Sequence, residues 1–179
     1  MLLLSIDTST TAISVALHDG NSVVAERNTL DSRAHAERLS PNVVECLRDI
    51  GAAPAELTHL VVGVGPGPFT GLRVGIMTAK TMAYALQLPL GGLCSLDALA
   101  WQWATSTGAA EGDRVLVATD ARRKEVYTAT YAVAAGPSGL DIERRREPEV
   151  SRAADLSEGE RALPTIGAGP ALYPAALPH

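Results

Sequence analysis

One stretch limits the possible folds of this chain more than any other: Gly65-Pro66-Gly67-Pro68-Phe69-Thr70-Gly71-Leu72-Arg73-Val74-Gly75. It follows an apolar run at residues 60–64 that reads as a strand of a parallel sheet covered on both faces. A helix is expected from about residue 70, with Thr70 as its N-cap, to about residue 86, ahead of Pro89. The prolines fix φ while the glycines open backbone geometries closed to other residues, so the corner is stiff and tight at once. A loop at the carboxyl end of a parallel strand is where open α/β sheets place ligands or partners. The loop matches neither standard phosphate fingerprint. G-x-G-x-x-G requires glycine where Thr70 stands, and no Gly-Lys pair forms a P-loop. Spacing alone leaves two readings open: exposed N–H groups that attract an anion or partner, or a corner that needs glycine only for close packing.

Within that helix, Gly71, Gly75, Ala79 and Ala83 recur every fourth residue and form a small-residue ridge. Two helical glycines cost about 0.5–1 kcal/mol each relative to alanine, so close contact along the ridge must offset them. The contact is either internal or across an interface, and the pattern does not choose.

The chain begins the same way twice. A strand at residues 2–6, the polar turn Asp7-Thr8-Ser9-Thr10, a strand at 11–17 and a hairpin at Asp19-Gly20 onto residues 22–27 open the first half. A strand at 115–118, the turn Asp120-Ala121-Arg122-Arg123, a strand at 125–131 and a turn at 136–139 open the second. Asp7 and Asp120 occupy matching places. Between them a helix is expected at 34–50, interrupted at Ser40-Pro41, then the strand and helix above, a short strand at 90–93 and a helix from 95 to about 105. A further strand is expected at 165–167. Two related α/β domains that meet across a cleft follow, residues 1–100 and 101–179, with the boundary between about 95 and 112. An aspartate in a Thr/Ser-rich turn after a first strand suits a phosphate or Mg²⁺ site, through Asp7, Thr8, Ser9 and Asp120. It equally suits a turn whose side chains bond their own backbone.

Composition excludes several classes. With 46% hydrophobic residues among 179 the chain can bury a real core, and no apolar run reaches the roughly 18 residues of a membrane span. Met1-Leu2-Leu3-Leu4 is cut short by Asp7 with no basic segment before it, so no secretory signal is read and a cytoplasmic location is expected. A net charge of −5 gives no global attraction to nucleic acid. Arg144-Arg145-Arg146 is the one basic run, and Asp141, Glu143, Glu147 and Glu149 around it make it a solvated strand or loop. Cys46 and Cys94 read as reduced, inert thiols. His18, His35, His59 and His179 form no metal-binding pair, and His35-Ala36-Glu37 lacks the P-C-x-x-C of a deaminase, so His35 reads as a helix-face residue. No G-x-S-x-G or nucleophilic-cysteine signature is present. No catalytic residue and no metal ligand is assigned.

Ile6-Asp7-Thr8-Ser9, the Gly65 to Gly75 segment, and Asp120-Ala121-Arg122 with Glu125-Val126-Tyr127 together resemble the TsaB family, also called YeaZ, of bacterial tRNA threonylcarbamoyladenosine biosynthesis proteins. The likeness spans nearly the whole chain. It implies an α/β fold of two actin-like (ribonuclease H-like) lobes, each a mixed sheet flanked by helices. It also implies a non-catalytic role beside the TsaD-like paralogue that transfers the threonylcarbamoyl group to the adenosine next to the anticodon, with a TsaE-like ATPase as a further component and tRNA met only in the complex. Such proteins are similar to sequences that also carry a glycoprotease (peptidase M22-like) label. Pairing through first-lobe helices, with TsaD or as a homodimer, makes Val43, Val44, Leu47, Gly71, Gly75, Ala79 and Ala83 the interface candidates, with Pro66, Gly67, Phe69, Thr70 and Arg73 as the motif loop. No cofactor is implied beyond weak ATP or ADP binding through the complex, at a vestigial site of Asp7, Thr8, Ser9 and Asp120. The chain stops where the family continues with more helix and a basic tail, so the second lobe is expected to be incomplete. Two other functions compete: a sugar-kinase-type ATPase or phosphotransferase using the Asp7 and Asp120 turns, and a metal-dependent glycopeptidase.

Overall fold

The chain builds two sheets, the first centred on strands that alternate buried and half-buried residues, the second on longer strands buried almost continuously along their middles. The computed structural model of the chain describes residues 1–31, 34–136 and 139–177, which divide into two units, Met1–Cys94 and Ser95–His179. The expected turn at 136–139 includes residues 137 and 138, which lie outside the described residues, as does His179.

The first unit runs β1 (Leu3–Asp7), β2 (Ala12–His18), β3 (Val23–Leu30), α1 (His35–Asp49), a 3₁₀ turn at Pro54–Glu56, β4 (His59–Gly63), α2 (Phe69–Leu86) and β5 (Leu90–Leu93). Its sheet has the order β3-β2-β1-β4-β5. β1 pairs antiparallel with β2, Leu4 opposite Leu17 and Ile6 opposite Val15, and parallel with β4, Leu4 beside Leu60 and Ile6 beside Val62. These residues are buried together with Leu39, Val43, Cys46 and Leu47 of α1 and Ala79 and Ala83 of α2. Burial of that apolar surface, at about 25 cal/mol per Å², is what holds both helices on the sheet.

α1 corrects one expectation. It continues through Ser40-Pro41, with Pro41 inside a helix that ends at Asp49. Pro41 is exposed, so its missing N–H lies on the solvent side, while Leu39, Asn42, Val43, Cys46 and Leu47 anchor both halves of the helix to the core. A second correction concerns α2: its N-cap is Pro68, without a side-chain cap, and Thr70 lies exposed inside the first turn. The fixed φ of Pro68, −58°, starts the helix instead of a hydroxyl. α2 ends at Leu86, where Gln87 turns left-handed ahead of Pro89.

The second unit runs α3 (Ser95–Thr107), β6 (Arg114–Arg122), β7 (Glu125–Gly136), β8 (Gly139–Ser151), a 3₁₀ turn at Ala153–Asp155, α4 (Glu158–Arg161), β9 (Thr165–Ile166) and α5 (Gly169–Leu172). Its sheet order is β8-β7-β6-β9, and β9 runs parallel to β6. The arginine run lies on β8 with every guanidinium in an ion pair: Arg144 with Asp97 and Glu147, Arg145 with Glu143, and Arg146 with Glu149 and Glu160. The reading of a solvated, self-neutralised strand therefore holds.

Cys46 is buried with its Sγ 3.9 Å from the Val15 carbonyl, and that burial pushes the thiol pKa up; Cys94 is half-buried, and both are free thiols. Among the described residues no helix is long and apolar enough to cross a membrane.

Candidate functional site

The turn after β1 is bonded shut by its own side chains. Asp7 Oδ1 accepts from the Ser9 N–H at 2.7 Å and from the Ser9 hydroxyl at 2.6 Å, an Asx turn closed twice over. Thr8, 1% exposed, donates its hydroxyl to the Gly71 carbonyl at 2.8 Å and accepts from the Gly75 N–H at 3.1 Å. One buried hydroxyl thus bridges two α2 residues four apart, at the spacing of a helical hydrogen bond. His35, the first residue of α1, sets Nε2 3.0 Å from the Thr10 carbonyl. Both helices are therefore tied to the same turn.

The small-residue ridge explains why Thr8 can come so close. A Cβ added at Gly75 would lie 2.3 Å from Thr8 Oγ1, and one at Gly71 would lie 2.5 Å from the Thr8 carbonyl oxygen. Ala79 is 0% exposed and Ala83 8%. As interface candidates, Gly71, Gly75, Ala79 and Ala83 are corrected: they face their own unit's core, and their small size is used there. Periodicity identified a close-packed face but carried no information on what covers it.

The Gly-Pro loop is built on the same principle. Gly65 has φ +92° and precedes a cis bond to Pro66, and Gly67 passes so near Ser9 that a Cβ would lie 2.1 Å from its carbonyl oxygen. Phe69, Thr70 and Arg73 stay exposed beyond it. The motif loop therefore packs its glycines on the β1 turn and turns its larger side chains to solvent.

α1 and α2 enclose an apolar groove between them. It has a volume of about 500 Å³ and is lined by Ser40, Val43, Val44 and Leu47 of α1, Pro54 of the following turn, and Met77, Thr78, Thr81 and Met82 of α2. Val43 and Leu47 are buried in its floor, whereas Val44 is 62% and Met77 52% exposed on its rim. Large apolar side chains left open beside one another mark binding surfaces. Sequence reasoning named the α1 wall, Val43, Val44 and Leu47, and missed the α2 wall. The available signal was the apolar character of Met77 on the side of α2 away from its glycines; Met82 lies near the glycine side, partly buried against the core.

In the second unit, Asp120 Oδ1 accepts from the Arg122 N–H at 2.7 Å, the same Asx turn as at Asp7, and its Oδ2 lies 3.4 Å from the Arg122 guanidinium. Arg122, Arg123 and Lys124 all adopt positive φ, 66°, 51° and 67°. Among the described residues no three His, Cys, Asp or Glu side chains gather where a metal ion would need them.

Known proteins match this arrangement. The family model of TsaD, tRNA N6-adenosine threonylcarbamoyltransferase, matches residues 24–143. The uncharacterized protein Rv3421c of Mycobacterium tuberculosis is 45% identical over 169 residues, 93% of this chain and 72% of the relative. The tRNA threonylcarbamoyladenosine biosynthesis protein TsaB of Bacillus subtilis is 37% identical over 131 residues, 73% of this chain and 55% of that protein. The structure of YeaZ from Pseudomonas aeruginosa superposes with a TM-score of 0.80 at 30% identity, covering 99% of this chain and 80% of that one. The repeated mixed sheets with their flanking helices are actin-like lobes. With the Gly-Pro corner, the paired aspartate turns and the similarity along almost its full length all agreeing, the chain belongs to the TsaB/YeaZ family.

Proposed function

We propose that this chain takes part in the biosynthesis of threonylcarbamoyladenosine in tRNA as the partner and scaffold of a TsaD-like threonylcarbamoyltransferase, with no chemistry of its own. The observation that carries this reading is the contrast at the β1 turn. The Thr8 and Ser9 hydroxyls, which a phosphotransferase would direct at phosphate oxygens, are bonded to Gly71, Gly75 and Asp7, while the helices they hold in place leave Val44 and Met77 open along a groove. In this reading the partner helix lies in the groove, a second copy of the chain occupies it when the partner is absent, and nucleotide and tRNA are met in the complex. A TsaE-like ATPase joins that complex, and the place of action is the cytoplasm.

The test is light scattering after size-exclusion chromatography of the chain alone and mixed with the TsaD-like protein of the same genome, with and without ATP and Mg²⁺. A species at the summed mass, lost on Val44→Glu or Met77→Glu with the circular dichroism unchanged, is the expected result. ATP hydrolysis by the isolated chain that disappears on Asp7→Ala, with no complex formed, would replace this reading by the phosphotransferase one.

A further inference from the structure

We infer that the surface received by the α1/α2 groove is acidic: a partner helix that lays an apolar seam between Val44 and Met77 and sets carboxylates over Arg73 and Lys80. The inference rests on the partner reading above and adds the chemistry of the partner's contact surface. Along its 18 residues α2 carries two charged side chains, Arg73 and Lys80, and no aspartate or glutamate. Both are exposed, and no described carboxylate pairs with either. They alternate with exposed Phe69, Met77 and Tyr84 at spacings of three and four residues, one stripe on the side of α2 opposite its glycines.

The acidic residues of α1 do not offset this charge. Glu45 and Asp49 are both engaged by Arg27 of β3, and the exposed Glu37 is balanced on the same helix by exposed Arg48. Glu56, beside Pro54 at the groove, accepts from the Ala53 N–H at 2.6 Å. A chain of net charge −5 thus presents a helix face whose only charges are positive. Two turns of helix, about 10 Å, separate Arg73 from Lys80, so carboxylates seven residues apart on a roughly aligned helix would meet both.

Self-pairing is penalised by the same charges. A two-fold axis sets identical patches against each other, and a second copy brings the same cation-only α2 to the contact. Salt should therefore strengthen self-association and weaken the mixed complex.

The experiment measures the affinity of the full chain for the TsaD-like protein of the same genome at about 50 and about 500 mM NaCl, conditions on either side of the screening length of a surface ion pair. Wild type is compared with Arg73→Glu/Lys80→Glu and with Arg123→Glu/Lys124→Glu, which reverses exposed cations of the other unit. Expected are a wild-type affinity that falls about tenfold or more with salt, a loss of similar size at low salt in the α2 variant with little further salt dependence, and an unchanged control. Light scattering of the chain alone should show self-association rising with salt. A complex indifferent to both salt and reversal overturns the acidic surface while leaving the partner reading standing. No complex under any condition overturns both. Binding of tRNA by the chain alone, abolished in the α2 variant, overturns the acidic helix in favour of RNA on this face.

Discussion

The two units share a plan and differ in what they attach to it. Both sheets put three antiparallel strands and then a parallel one in the same order, β3-β2-β1-β4 and β8-β7-β6-β9. In each, an aspartate at the end of the central strand (Asp7) or two residues before that end (Asp120) accepts the N–H two residues on, and the parallel strand leads to a glycine of positive φ, Gly65 at +92° and Gly167 at +94°. Each also brings a glycine against the backbone of the central strand or its turn: a Cβ would lie 2.1 Å from the oxygen of Ser9, in the turn after β1, at Gly67 and 2.4 Å from the oxygen of Ala118, inside β6, at Gly167. The helices that follow are very different, 18 residues in α2 and four in α5. At the place of Thr8, whose hydroxyl bonds into α2, the second turn has Ala121. The glycine corner is thus a requirement of the topology, and the buried hydroxyl is what the first unit adds to fix a long helix on that corner.

The largest effect should come from filling the corner. Gly67→Ala would drive a methyl into the Ser9 backbone, which cannot yield as a side-chain tip can, and should cost about 3 kcal/mol, read as a lowered midpoint in urea. Gly167→Ala tests the same device in the second unit, where positive φ adds strain to the clash. If Gly67→Ala were neutral while Gly167→Ala was not, the correspondence between the two corners would be broken.

Thr8→Val comes next. It keeps the shape and removes one donor and one acceptor at a 1% exposed site, leaving the Gly71 carbonyl and Gly75 N–H without that partner, at about 1–3 kcal/mol. Ala121→Thr in the second unit should change stability by less than about 0.5 kcal/mol, since α5 is too short to present the same pair of groups. Thermal unfolding of both variants side by side checks the contrast.

Much of this plan could be read from residue types, and the unread part has definite causes. The repeat was visible because Asp7 and Asp120 each follow an apolar strand, and the β4-to-α2 corner because two prolines and four glycines punctuate it. A strand at 165–167 was read and β9 forms there, but its parallel place beside β6 and the helix α5 after it were not, because a two-residue strand and a four-residue helix have no period to detect. Thr8's bonds to α2 join residues 63 and 67 apart in sequence, beyond any local pattern. The Pro41 break was expected from propensity and overridden by burial on both sides of it.

The ion pairs that tie helix to edge strand differ in the same way. Arg27 of β3 reaches Glu45 and Asp49 of α1 from a half-buried position with 37% of its side chain exposed, whereas Arg144 of β8, 28% exposed, grips Asp97 of α3 through both of its oxygens, with the buried Tyr131 hydroxyl donating to the same carboxylate at 2.7 Å. Arg27→Ala should cost less than about 1 kcal/mol. Asp97→Ala should cost more, about 1–3 kcal/mol, because it leaves a buried hydroxyl and a half-buried guanidinium without that acceptor. Equal values in chemical denaturation would show that the Arg144 site is as solvated as the Arg27 one.

The smallest effect is a pH dependence confined to the second unit. Burial alone would raise the Glu160 pKa, but the Ser157 hydroxyl and N–H and the Arg146 guanidinium outweigh it and hold the carboxyl below its ordinary value. A group depressed in the folded state stabilises the fold fully above its unfolded pKa and loses that contribution as pH falls through the folded one. Acid should therefore weaken the tether between α4 and β8 below the ordinary glutamate range, and Glu160→Gln should remove that part of the slope at a small cost near neutrality. Hydrogen exchange at α4 as a function of pH reads the effect directly. A slope unchanged in Glu160→Gln would place the acid sensitivity of this unit elsewhere.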